Sequence, residues 1–189
     1  MRSTAARRSK GSCSTPELCI HTIGHSTRTA EEFLGLLRAH RVQQLADIRT
    51  VPQSRRHPHF GKEALSAFLE GAGVAYRHFP GLGGLRKPLR NSVNTAWQHE
   101  GFRGYADYMQ TPAFAEAVEA LERFATVGTT VVMCAEAVWW QCHRRLLADT
   151  LLVRGVEVRH ILTAAAAKPH ELSEFARPEG RGVTYPGLL

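Results

Sequence analysis

Between residues 133 and 145 the chain reads MCAEAVWWQCHRR. A thiol, Cys134, stands two residues before a carboxylate, Glu136. Trp139 and Trp140 follow, then Cys142, His143 and Arg144. A carboxylate just past an apolar run can activate water or stabilise a cationic sugar. An arginine at the start of a helix can grip phosphate beside the helix N-terminus, and a neighbouring histidine can act as acid or base. Asp47 closes a second apolar run and supplies a second carboxylate. Two carboxylates divide acid and base work if their surroundings split their pKa values. Asp47 suits equally a pair with Arg49 or Arg144 that holds the loops.

Cys134 raises the question of sulfur chemistry. Strand, cysteine, loop and arginine-bearing helix is also the layout of rhodanese-like sulfurtransferases and cysteine phosphatases, and LADIRT echoes a rhodanese strand. Those enzymes wrap a short loop whose backbone N–H groups cradle an anion and lower the thiol pKa. Here the loop from Cys134 to Cys142 has no glycine, and Trp140 stands six residues after the cysteine. Cys134 is therefore read as a packed thiol, with the nucleophile as the alternative. Zinc on Cys134, Cys142 and His143 needs a fourth ligand such as His25, and the spacing fits no usual pattern. Neither a metal nor a cofactor is expected.

Basic groups and aromatics are interleaved elsewhere. The stretch 52–62, PQSRRHPHFGK, carries Ser54, Arg55 and Arg56; the stretch 83–90, GGLRKPLR, begins on Gly83 and Gly84. With Tyr76, Tyr105 and Arg49 these suit phosphates and stacked bases. A solvated basic surface over buried aromatics accounts for part of the same pattern. GHST, at 24–27, offers Gly24, His25 and Ser26 as a phosphate-binding turn, although the dinucleotide G-x-G-x-x-G pattern is absent.

The bulk numbers narrow the classes. A chain of 189 residues with 43% hydrophobic content fits one globular domain. No run of 18 apolar residues suggests a membrane span. The formal net charge is +7, but Arg2, Arg7, Arg8 and Lys10 supply four of the 24 basic residues. That leaves 20 against 17 acidic, so the folded part is only mildly basic. Residues 1–18 read as a basic, disordered tail, and residues 1–12 of it as dispensable for folding. The four cysteines, at 13, 19, 134 and 142, show no export signal or disulfide pattern and read as reduced thiols in a cytoplasm.

These groups need elements to position them. Strands are expected over 19–23, 42–48, 74–79, 129–134 and 156–162, and helices over 30–40, 61–73, 111–126 and 140–155. The alternation predicts one α/β domain over 19–166: a Rossmann-like, open, mostly parallel sheet of about five strands with helices on both faces. Residues 80–100 form one long irregular segment, and residues 167–189 trail over the surface. In such sheets ligands sit at the carboxyl ends of the strands. GHST, Asp47 with Arg49 and PQSRRHPHF, PGLGG, and Cys134 with Glu136 all follow strands, so they fall on one edge and border one cleft. The cleft requires a reversal of strand order between the first and fourth strands.

Taken together, TIGHST, LADIRTVPQSRRHPHF, YRHFPGLGG, FRGYADYM, MCAE, CHRR and RGVEVRHIL resemble the domain-of-unknown-function family 488. The resemblance runs from about His21 to Leu162 and implies a Rossmann-like α/β domain without implying a reaction. The residues themselves lead to an enzyme acting on nucleic acid or a nucleotide, such as one that hydrolyses an N-glycosidic bond without a metal. The alternatives are a rhodanese-like or phosphatase-like enzyme using Cys134, and a non-catalytic nucleic-acid or nucleotide-binding module.

Overall fold

A computed structural model of the chain describes residues 18–53 and 55–187. The basic tail, Ser54 and the last two residues lie outside the described residues. The chain runs β1 (Cys19–Gly24), α1 (Ala30–Ala39), β2 (Gln44–Asp47), α2 (Lys62–Gly71), β3 (Ala75–His78), α3 (Glu100–Tyr108), α4 (Pro112–Ala125), β4 (Thr130–Cys134), α5 (Arg144–Val153), β5 (Glu157–His160), β6 (Lys168–Pro169), β7 (Arg177–Glu179) and β8 (Gly182–Thr184). The main sheet has six strands in the order β3-β2-β4-β1-β5-β6. The first five are parallel and β6 is antiparallel to β5.

This order follows from two-sided burial. On β4, Val131 and Met133 point to one face and Val132 and Cys134 to the other, the period of two expected of a strand. Phe33 and Leu37 of α1 and Leu65 and Leu69 of α2 cover the first face. The second face carries Tyr105 of α3, Phe114, Val118 and Leu121 of α4, and Leu146 and Leu147 of α5. Right-handed crossovers require this split. The chain moves one way across the sheet from β1 through β3 and the other way from β3 through β5. The connections after β1 and β4, which are neighbours, therefore leave toward opposite faces. Ligand clefts of open α/β sheets form at that point.

Local signals set the helix starts. Thr29 caps α1 and exchanges a capping box with Glu32. Thr111 caps α4, with Pro112 at its first position.

Two expectations change, and the expected irregular segment is found fixed in place. The helix expected over 140–155 begins only at Arg144: Trp139–Gln141 is a 3₁₀ turn and Cys142 is extended. The turn lets the Trp139 ring stack on His160, with centroids 4.1 Å apart. The irregular stretch before α3 is pinned by a buried carboxylate. Asp107 accepts from the backbone N–H of Leu89 (2.9 Å), the Ser92 hydroxyl (2.6 Å) and the Asn94 amide (2.8 Å). Finally, the C-terminal segment enters the core instead of trailing over the surface. Ala176, Val183 and Tyr185 are buried there, and Tyr185 donates to Asp149 at 2.9 Å. A tyrosine in a Pro- and Gly-rich stretch gives no periodicity, so its burial was not readable from pattern.

Candidate functional site

The strand-end cleft is built around β1 and β4. Their pairing continues past the strand ends, with the His25 N–H on the Cys134 carbonyl (3.0 Å) and the Ser26 N–H on the Ala135 carbonyl (2.9 Å). These two amides are spent on the sheet, so they are not free to cradle a phosphate as GHST suggested. The cleft encloses about 630 Å³. It is lined by His25, Ser26 and Thr27 from the first loop, by Arg55, Arg56 and His57 from the loop after β2, and by Glu136 after β4. Arg55, Arg56 and the Glu136 side chain are exposed to it. A larger groove, about 740 Å³, lies between residues 95–98 and the chain end, far along the sequence from the strand-end loops.

Behind the cleft, Asp47 is fully buried. Its carboxylate takes a bidentate pair from Arg49, at 2.9 and 2.6 Å, and the Tyr76 hydroxyl at 2.7 Å. Arg49 also donates to the Phe60 carbonyl at 2.8 Å and faces His25 Nε2 at 3.4 Å. Asp47, Arg49 and Tyr76 thus form a support that orients the histidine, and Asp47 has no open edge toward the cleft. His25 is stacked on Phe60 and its Nδ1 meets the Ser26 carbonyl at 3.0 Å. Burial, the largest cause, aided by the Arg49 charge, lowers its pKa to about 4. A neutral ring that donates from Nδ1 and accepts at Nε2 satisfies both contacts.

A second cluster lies beneath the Glu136 loop. The sulfurs of Cys134 and Cys142 and Nδ1 of His143 lie within 4.8 Å of one another. The imidazole is wedged in place. Its centroid is 5.0 Å from that of Tyr105, and a Cβ on Gly84 would overlap the ring. Tyr105 is fully buried, with its hydroxyl on the Leu82 carbonyl at 3.0 Å. Gly83 packs as closely on Thr50. Arg144 is 1% exposed; Nη2 donates to the Glu136 main-chain oxygen and Nε to Cys142 Sγ, at 3.4 Å. Burial pushes the Cys142 thiol up, but the Cys134 S–H, His143 and the Arg144 charge outweigh it and hold Cys142 well below the usual thiol range. Cys134, donating its proton to Cys142 and buried as well, is pushed well above.

The expected residues therefore separate. His25, Ser26, Arg55, Arg56 and Glu136 meet at the cleft. Gly24 lies beneath, where a Cβ would overlap the Glu136 carbonyl oxygen. Asp47, Arg49 and Tyr76 form the support. Cys134, His143, Arg144, Tyr105, Gly83 and Gly84 gather around the sulfurs and the loops next to them. Arg144 is a brace for the Glu136 loop and has no open face for phosphate. The zinc alternative loses its fourth ligand, because His25 is held by Ser26 and Arg49.

One buried network escaped the sequence. Thr22 Oγ1 meets His160 Nδ1 at 2.7 Å, His160 Nε2 meets His170 Nδ1 at 3.0 Å, and His170 Nε2 meets Asp149 at 2.9 Å. It ties the C-terminal segment to β1 and α5. Four lone polar residues, Thr22, Asp149, His160 and His170, carry no shared spacing that could have shown it.

Fold and geometry define a Rossmann-like α/β protein with an open cleft at its strand-order reversal. The chain belongs to the family described as "Domain of unknown function DUF488", which matches residues 29–151. No curated protein and no solved structure matches it. Among the described residues, no helix is long and apolar enough to cross a membrane.

Proposed function

We propose that the chain is a hydrolase acting on nucleic acid or a nucleotide, with Glu136 as its working carboxylate and cleavage of an N-glycosidic bond as the reaction. The observation that carries this reading is the composition of the cleft: one exposed carboxylate, Glu136, across from the exposed cations Arg55 and Arg56. Arginines recognise phosphate. A carboxylate can stabilise a cationic sugar or orient a water at its anomeric carbon. The pairing of Asp47 with Arg49 removes the two-carboxylate version and leaves Glu136 to act alone. His25, neutral near pH 7 and held by Ser26 and Arg49, supplies a fixed wall of the cleft rather than a proton relay.

The same geometry disfavours Cys134 as the nucleophile. Cys134 is buried, its pKa is raised, and it does not line the cleft. The test is incubation with single-stranded oligonucleotides and nucleoside phosphates, with free base and the base-free sugar product separated by chromatography. Release of free base supports the reading. Salt-dependent binding with no product favours the binding module.

A further inference from the structure

We propose that Cys134, Cys142 and His143 form a three-donor site for a soft monovalent metal cation, Cu⁺ being the type. The spacing of these three residues fits no usual metal-binding pattern, yet the fold gathers their donor atoms. His143 Nδ1 lies 3.6 Å from Cys142 Sγ and 3.9 Å from Cys134 Sγ. Donors sharing one ion, at about 2.3 Å for sulfur and about 2.0 Å for nitrogen, lie about 3.5–4 Å apart. The extended backbone at Cys142, followed by the helical turn at His143, brings the two neighbours together.

The triangle is built before any ion enters. Gly84 and Tyr105 fix the imidazole. His143 Nε2 is buried with no hydrogen-bond partner, so the sulfurs are the polar groups this ring meets. Both sulfurs belong to buried residues, Cys134 at the end of β4 and Cys142 before α5.

Ligand type and charge select the ion. Two thiolates and an imidazole suit Cu⁺ and Zn²⁺ above harder metals. Structural zinc almost always takes four ligands. Among the described residues, the group within reach of one ion has three. Charge decides further. Arg144 is buried, and among the described residues it forms no ion pair with a carboxylate; its hydrogen bonds go to the Glu136 carbonyl and Cys142 Sγ. Two thiolates with a monovalent ion leave one negative charge, which the guanidinium cancels. A divalent ion would leave a net positive charge in a buried site. Binding is an exchange: the ion forms one bond to each sulfur and one to Nδ1 of the neutral imidazole, and whatever protons those three donor atoms carried depart to solvent. No electrons move. The bound ion would tie the end of β4 to the start of α5 across the loop that carries Glu136.

The experiment uses the reduced full chain, anaerobically, in a Cys13→Ser/Cys19→Ser background that removes the other thiols. Cu⁺ is titrated against a chromophoric Cu⁺ chelator, and Zn²⁺ in parallel against a Zn²⁺ chelator. One Cu⁺ per chain is expected, with Zn²⁺ held more weakly. Cys134→Ser and Cys142→Ser should each weaken Cu⁺ by more than about 100-fold, the upper range for groups that only support a ligand. X-ray absorption on the Cu⁺-loaded parent keeps the proposal testable if those variants fold poorly; two sulfurs and one nitrogen are expected. Substoichiometric Cu⁺, a preference for Zn²⁺, or a shell without two sulfurs overturns it. Loading is read without turnover, so its failure leaves the hydrolytic reading untouched.

Discussion

Arg144 donates to the main-chain carbonyl of Glu136 from a fully buried position at the start of α5. The backbone of the loop that carries the exposed carboxylate is thus held by a guanidinium that solvent does not reach. Arg144→Ala leaves a buried carbonyl and a sulfur without their donor and opens a void. We expect a loss of about 2–4 kcal/mol in stability, measured by the urea midpoint. An unchanged midpoint would show that the loop does not rely on the brace.

Gly24→Ala tests the same loop from the other side. A Cβ there would overlap the Glu136 carbonyl oxygen, which is backbone and cannot swing away. Overpacking should cost about 1–3 kcal/mol and displace the loop. Wild-type stability with wild-type ligand binding would contradict this packing.

Asp47→Asn separates support from chemistry. Removing the charge leaves Arg49 buried beside a neutral amide. The expected cost is about 3–5 kcal/mol, the range for breaking a buried pair. Thermal denaturation reads it. A variant that melts like the wild type but has lost all turnover would instead make Asp47 a chemical participant.

Stability should fall in mild acid. His25 has its pKa lowered to about 4 and His160 to about 3, in both cases chiefly by burial, from an ordinary value of 6.5. The unfolded chain therefore binds more protons than the folded one between those values, and stability rises with pH there. It is fully present above about 6.5 and is lost as pH falls toward about 4. Urea midpoints across this window check it; a flat profile would show both rings protonated in place.

Arg55 and Arg56 should govern polyanion binding. Replacing either with alanine should weaken affinity for an oligonucleotide and reduce the slope of log K against log salt by about 1. Titrations at several salt concentrations read this directly. Unaltered slopes would remove these side chains from the phosphate path.

Much of the scaffold could be read from the sequence. Runs such as TTVVMC and the helical spacing of Phe33, Leu34 and Leu37 report burial, and burial is what a sheet with two covered faces needs. Strand polarity then gathered GHST, the Arg55–Arg56 loop and Glu136 on one edge without further information. What pattern does not carry is side-chain direction after a strand ends. Asp47 and Glu136 look alike in sequence, yet one is enclosed by Arg49 and Tyr76 and the other faces the cleft. Arg144 looked like an anion ligand, because its burial depends on the 3₁₀ turn at Trp139–Gln141 that delays the helix. α3 was also missed; its hydrophobic spacing is diluted by Gly101, Gly104 and Asp107, and Asp107 serves the preceding loop rather than the core.

The most direct test compares wild type and Glu136→Gln for release of free base from an oligonucleotide or nucleoside phosphate, alongside binding of the same compound by both. The side chain is exposed, so the variant should fold normally. The account predicts release by the wild type, loss of turnover in Glu136→Gln, and binding retained. Full turnover by Glu136→Gln, or its abolition by Cys134→Ser in a folded chain that keeps Glu136, would contradict the carboxylate mechanism.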